Sequence, residues 1–136
     1  EGVKEAGVTP KPFVLAVTVL TSLNEEMVRE ELRIPYSPQE QVAFWAGLAQ
    51  ESGADGVVCS PKEIETVRKE CGSDFLIVTP GIRPAWAVKG DQQRIAAPGE
   101  AVKNGADYLV IGRPITQAPD RLEAVRLIAE EIQGSV

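Results

Sequence analysis

Four short apolar runs divide the sequence, and each is followed by a segment that opens with turn or helix-start residues. The runs are FVLAVTVL at 13–20, GVVC at 56–59, FLIV at 75–78 and YLVI at 108–111. They are continuous rather than alternating, and rich in Val, Ile and Leu. Such runs predict strands covered on both faces, the pattern of a parallel sheet flanked by helices.

Between them lie helices with readable starts. Ser37-Pro38-Gln39-Glu40 has the form of a capping box with Pro at the first helical position, and predicts a helix to about Ser52. Ser60-Pro61-Lys62-Glu63 repeats the device and predicts a helix to about Glu70. Pro98 opens a short helix that ends near Asn104-Gly105, a C-cap pair. DRLEAVRLIAEEI at 120–132 carries apolar residues at helical spacing, and a further short helix is expected over 24–32.

The order is βα, four times over, which predicts a parallel sheet with right-handed crossovers. One unit is echoed. Ser52-Gly53-Ala54-Asp55 precedes GVVCS, and Asn104-Gly105-Ala106-Asp107 precedes YLVIG. Repetition of this kind suggests a (β/α)8 TIM barrel. A barrel takes roughly 250 residues and eight such units; this chain has 136 residues. The expectation is an α/β half-barrel, with residues 1–136 forming the C-terminal half of a single barrel domain. EGVKEAG at 1–7 reads as the tail of a preceding helix, and the chain begins without Met.

Composition narrows the function. The formal net charge is −6, which argues against non-specific binding to nucleic acid or anionic membranes. Histidine is absent, removing the commonest general base and metal ligand. Cys59 and Cys71 are not in a CxxC arrangement, so a metal site, redox motif or disulfide framework is not expected. With no membrane-length apolar run and no signal-peptide pattern, the expectation is a cytoplasmic protein with reduced thiols.

Barrel active sites lie at the C-terminal strand ends. Thr21 and Ser22 follow the first run, and Cys59 and Ser60 close the second. After the third come Gly81, Ile82 and Arg83 and a polar stretch to Gln92; after the fourth come Gly112, Arg113 and Pro114. Glycine lets backbone N–H groups approach an anion, and arginine is a forked donor suited to phosphate. Barrels often bind phosphate after strands seven and eight. The two arginines are therefore read as framing a phosphate corner, with Gln92 folding over it. Either arginine taken alone fits a loop cap or a surface ion pair equally well. Thr21 and Ser22 also fit helix capping, Trp86 fits either core or lid, and Cys59 reads as packing rather than nucleophile.

At these residues the chain resembles bacterial-type orotidine 5'-phosphate decarboxylases. The pieces are AVTVLTS (16–22), DGVVCS (55–60), VTPGIRP (78–84), GDQQR (90–94) and GADYLVIGRPIT (105–116). The resemblance implies a (β/α)8 barrel that works as a homodimer, a carboxy-lyase converting orotidine 5'-monophosphate to UMP and CO2 with neither metal nor organic cofactor. It implies that Thr21 contacts the pyrimidine, that Arg83 belongs to the substrate-binding set, and that Gln92 links phosphate to base as its loop shuts. The Gly112 N–H and the Arg113 side chain would hold the phosphate.

The family's catalytic Asp-x-Lys-x-x-Asp segment and an earlier lysine have no counterpart in this sequence. In the family, the lysine would protonate the carbon left by CO2 and the carboxylates would disfavour the substrate carboxylate. No catalytic residue is therefore assigned within this chain; those groups are expected upstream of Glu1. The alternatives are a stand-alone, non-catalytic phosphate-binding half-barrel, or a related sugar-phosphate decarboxylase or synthase.

Overall fold

The computed structural model describes residues 2–7, 9–87, 90 and 93–135. Helix α1 (Gly2–Glu5) precedes β1 (Leu15–Val17), and α2 (Glu25–Glu30) and α3 (Pro38–Glu51) follow it. Then come β2 (Gly56–Val58), a 3₁₀ turn (Pro61–Glu63), α4 (Ile64–Cys71) and β3 (Leu76–Thr79). The chain continues through α5 (Pro98–Lys103), β4 (Tyr108–Leu109), α6 (Arg113–Thr116) and α7 (Arg121–Gln133). The four strands are all parallel and ordered β1-β2-β3-β4. Strictly sequential order, with no reversal, is the order of a barrel wall rather than of a doubly wound sheet.

The expected strands are present but short. Among the described residues, β1 and β4 have a neighbour on one side only. Ladder bonds continue just beyond them, from Thr18 N–H to the Val58 carbonyl (3.1 Å) and from Val110 N–H to the Thr79 carbonyl (2.9 Å).

Burial on both faces is not what the sheet has. The register aligns Ala16, Val57 and Ile77 in one row, and Val17, Val58, Val78 and Tyr108 in the next. Adjacent rows face opposite ways. Val57 and Ile77 are fully buried in a core shared with Val42, Ala46, Ile64 and Val67 from α3 and α4. Val17 is 63% exposed and Tyr108 54% exposed. The continuous apolar pattern predicts two covered faces; the helices cover one, and the other is open.

The helix starts follow the sequence with one exception. Ser37 accepts from Glu40 N–H, and the Glu40 carboxylate accepts from Ser37 N–H at 2.9 Å, a complete capping box. The second box does not form. Ser60 Oγ accepts from Lys62 N–H at 3.3 Å, the first turn is 3₁₀, and Glu63 turns away to another partner. Helix α6, within GRPIT, was not anticipated.

The repeated Gly-Ala-Asp performs one job twice. Asp55 accepts from Val14 N–H at 2.7 Å and returns its own N–H to the Val14 carbonyl at 2.8 Å. Asp107 accepts from Ile77 N–H at 2.7 Å and returns its N–H to the Ile77 carbonyl at 3.0 Å. Each carboxylate also meets a cation, Lys11 at 2.9 Å and Arg68 at 2.5 Å respectively. The echo in the sequence is thus a device that locks the start of a strand to its neighbour.

Candidate functional site

The candidate residues gather at the C-terminal ends of the strands, where chain direction puts them. Thr21 is buried in the turn after β1, and its carbonyl accepts from Gln93 N–H at 3.4 Å. That bond joins the end of β1 to the far end of the segment that follows β3. Ser22 is half-buried beside it.

After β3 the chain runs through buried Gly81, Ile82, Arg83 and Pro84. Ile82 forms a parallel bridge with Ala96, and Arg83 N–H donates to the Ala96 carbonyl at 2.9 Å. The start of the loop is thereby fixed to the residues just after its end. Arg83 is only 8% exposed, and its Nη1 donates to the Ile82 carbonyl at 2.8 Å. Trp86 and Ala87 emerge from this base and share a cleft with Arg113, Pro114 and Gln117. Gln92 lies outside the described residues.

After β4, Gly112 and Arg113 are exposed at the start of α6. The Gly112 carbonyl accepts from Ile115 N–H (2.9 Å) and Thr116 N–H (3.0 Å), closing the short helix. A Cβ placed on Gly112 would meet nothing within 4 Å. Packing does not call for glycine here, whereas the close approach of a ligand would. Gly90, at φ +65°, lies against the same arginine: a Cβ on it would stand 3.1 Å from Arg113 Nη1. In the loop after β3, Gly90 therefore lies against Arg113 and Gln93, three residues on, is bonded to Thr21. Of the two arginines expected to frame the corner, Arg83 is packed into the loop base and Arg113 faces outward.

Cys59 is buried, and burial, followed by the nearby Glu63 carboxylate, pushes its thiol up to about 12. It stays protonated at neutral pH, in keeping with a packing role. Arg94 is the residue the sequence reading passed over. It is buried at the end of GDQQR, with Nη1 donating to Glu63 Oε1 at 2.6 Å. Its sequence signal is its place at the end of the GDQQR stretch.

Parallel βα units in strictly sequential order define a barrel-type α/β protein. The sequence profile described as "Orotidine 5'-phosphate decarboxylase / HUMPS family" matches residues 1–128, and the chain belongs to that family. An orotidine 5'-phosphate decarboxylase of Moorella thermoacetica is 57% identical over 124 residues, covering 91% of this chain and 49% of the relative. That of Heliobacterium modesticaldum is 53% identical over 121 residues, covering 89% of this chain and 50% of its own length. The crystal structure of the Lactobacillus acidophilus enzyme superposes with a TM-score of 0.77 at 39% identity, covering 96% of this chain and 55% of that one. The solved relatives are TIM barrels, and the chain has the fold of about half of one. It spans about half the length of the curated relatives it matches.

Proposed function

We propose that residues 1–136 form the C-terminal half of a (β/α)8 barrel that decarboxylates orotidine 5'-monophosphate to UMP and CO2. This half supplies the contacts to phosphate and base. The Gly112 N–H and the Arg113 guanidinium receive the phosphate, Thr21 meets the pyrimidine, Arg83 belongs to the substrate-binding set at the start of the loop, and Gln92 joins phosphate to base as the loop shuts. Loop closure spends phosphate binding on organising the site around the reacting ring. The observation that carries the reading is the loop itself, pinned to Thr21 at its end while Gly90 rests on Arg113.

The other half of the barrel supplies the catalytic carboxylates and lysine. The whole protein is a cytoplasmic homodimer in this reading, with a small nucleotide as its ligand and neither nucleic acid nor membrane as a partner. Among the described residues no helix is long and apolar enough to cross a membrane.

The test is reconstitution. The 136-residue chain alone should leave orotidine 5'-monophosphate unchanged, followed by the absorbance of the orotate ring. Mixing it with the missing half of a close relative should start turnover, and Arg113→Ala should abolish the effect. Binding of ribulose 5-phosphate in preference to UMP would favour a sugar-phosphate enzyme instead. Turnover by the chain alone would overturn the division of labour.

A further inference from the structure

The buried pair Arg94–Glu63 has no part in the contacts assigned above, yet it sits where three strand ends meet. Arg94 belongs to the segment after β3. Its Nη1 donates to Glu63 Oε1 (2.6 Å), in the turn after β2. Its Nη2 donates to the Val19 carbonyl (3.0 Å) and the Leu20 carbonyl (2.8 Å), in the segment after β1. One guanidinium thus ties together the segments that follow three consecutive strands.

Stability alone is a poor account of this pair. Glu63 is 1% exposed and Arg94 6%. An ion pair this deep loses much of its attraction to desolvation, and apolar residues of like volume often serve as well. Its hydrogen bonding is also incomplete. Glu63 Oε2 and Arg94 Nε are buried without a hydrogen-bond partner among the described residues. What the pair does achieve is placement. Leu20 directly precedes Thr21, and Gln93, next to Arg94, donates to the Thr21 carbonyl. The opposite end of the same loop is held by the Ile82–Ala96 bridge. Both feet of the loop are fixed, and between them Gly90 lies against Arg113.

We infer that Arg94 and Glu63 are positioning residues, which set Thr21 and the end of the loop in register with each other before a ligand arrives. The inference rests on the reading in the preceding subsection and adds two residues to it. Preset geometry of this kind matters because small misplacements of binding groups are costly. The forked donor is needed, since a lysine ammonium at the same place would not span Glu63 and two carbonyls.

The test uses the whole 136-residue chain carrying Trp45→Phe, which leaves Trp86 as its sole tryptophan. Arg94→Lys and Glu63→Gln are compared with that parent in acrylamide quenching of Trp86, in UMP binding and in inorganic phosphate binding. Arg94→Lys should increase quenching and weaken UMP about tenfold, by loss of placement. Phosphate affinity should fall far less than UMP affinity, because Gly112 and Arg113 lie beyond β4 and meet the loop at Gly90. Equal losses of UMP and phosphate would indicate a general loss of structure and overturn the inference. So would unchanged quenching together with unchanged UMP affinity. A parent that binds neither ligand would defeat the proposed function, and the quenching arm would then decide the placement claim by itself. Should Arg94→Lys fail to fold, Glu63→Gln, which leaves the two carbonyl bonds to Arg94 intact, carries the same readouts with a smaller change.

Discussion

At the scale of single residues, two glycines, one inside β2 and one just past β4, have opposite causes. A Cβ on Gly56, in the middle of the sheet, would lie 2.3 Å from the Leu76 carbonyl oxygen and 2.5 Å from its Cβ. A backbone atom in a paired strand cannot retreat. Gly56→Ala should therefore destabilise the chain by about 3 kcal/mol, the upper part of the usual overpacking range, read as a lower urea midpoint. Gly112→Ala should lower that midpoint much less, since open space surrounds the position. The contrast explains what the sequence made visible. Gly112 stood out through its Arg-Pro neighbours, whereas Gly56 gave no sign of the crowding that only the β2–β3 register creates. Arg94 was hidden for a similar reason. Its partners lie 31, 74 and 75 positions away along the chain, and no local pattern encodes them.

At the scale of elements, the starts of helices and strands were the most legible features, because their signals are local. Ser37 and Glu40 are three residues apart and find each other. Ser60 and Glu63 have the same spacing, but Glu63 is drawn to Arg94, so a tertiary contact overrides a local motif. The Gly-Ala-Asp echo was readable as repetition, and the structure supplies its purpose. The Val14 N–H, and after it Lys11, hold the Asp55 carboxyl below its ordinary value of 3.8. The folded chain then binds fewer protons at this site than the unfolded chain does. Asp55 contributes its stability in full above the ordinary carboxyl range, and the contribution fades as pH falls through the lowered value. Asp55→Asn should accordingly lower the urea midpoint at pH 7, and the gap to the parent should narrow as the pH is taken down below about 4. A gap that stayed constant with pH would mean that the side chain acts through shape alone.

At the scale of the whole molecule, the open face of the sheet is the feature that no strand pattern could have announced. A continuous apolar run is the same whether a helix layer or the far wall of a barrel covers its second face. Phe13, Leu15, Val17, Tyr108 and Val110 are all exposed, and among the described residues β1 and β4 each leave one edge unpaired. An apolar face beside open edges invites association. In the proposed half-barrel, that face lines the interior once the other half is in place, and the prediction follows from the geometry of the face. Val17→Lys puts a charge where the isolated chain is already in water, so its own stability should change by no more than about 0.5 kcal/mol. In the reconstituted barrel the same lysine would be forced into a packed interior without a counter-charge. Reconstitution with the other half should then fail, while the thermal midpoint of the chain alone stays where it was. Fluorescence of a hydrophobic dye and sedimentation of the isolated chain would report less self-association for Val17→Lys than for the parent. If instead the lysine variant reconstitutes as well as the parent, this face does not become the barrel interior, and the half-barrel reading loses its structural basis.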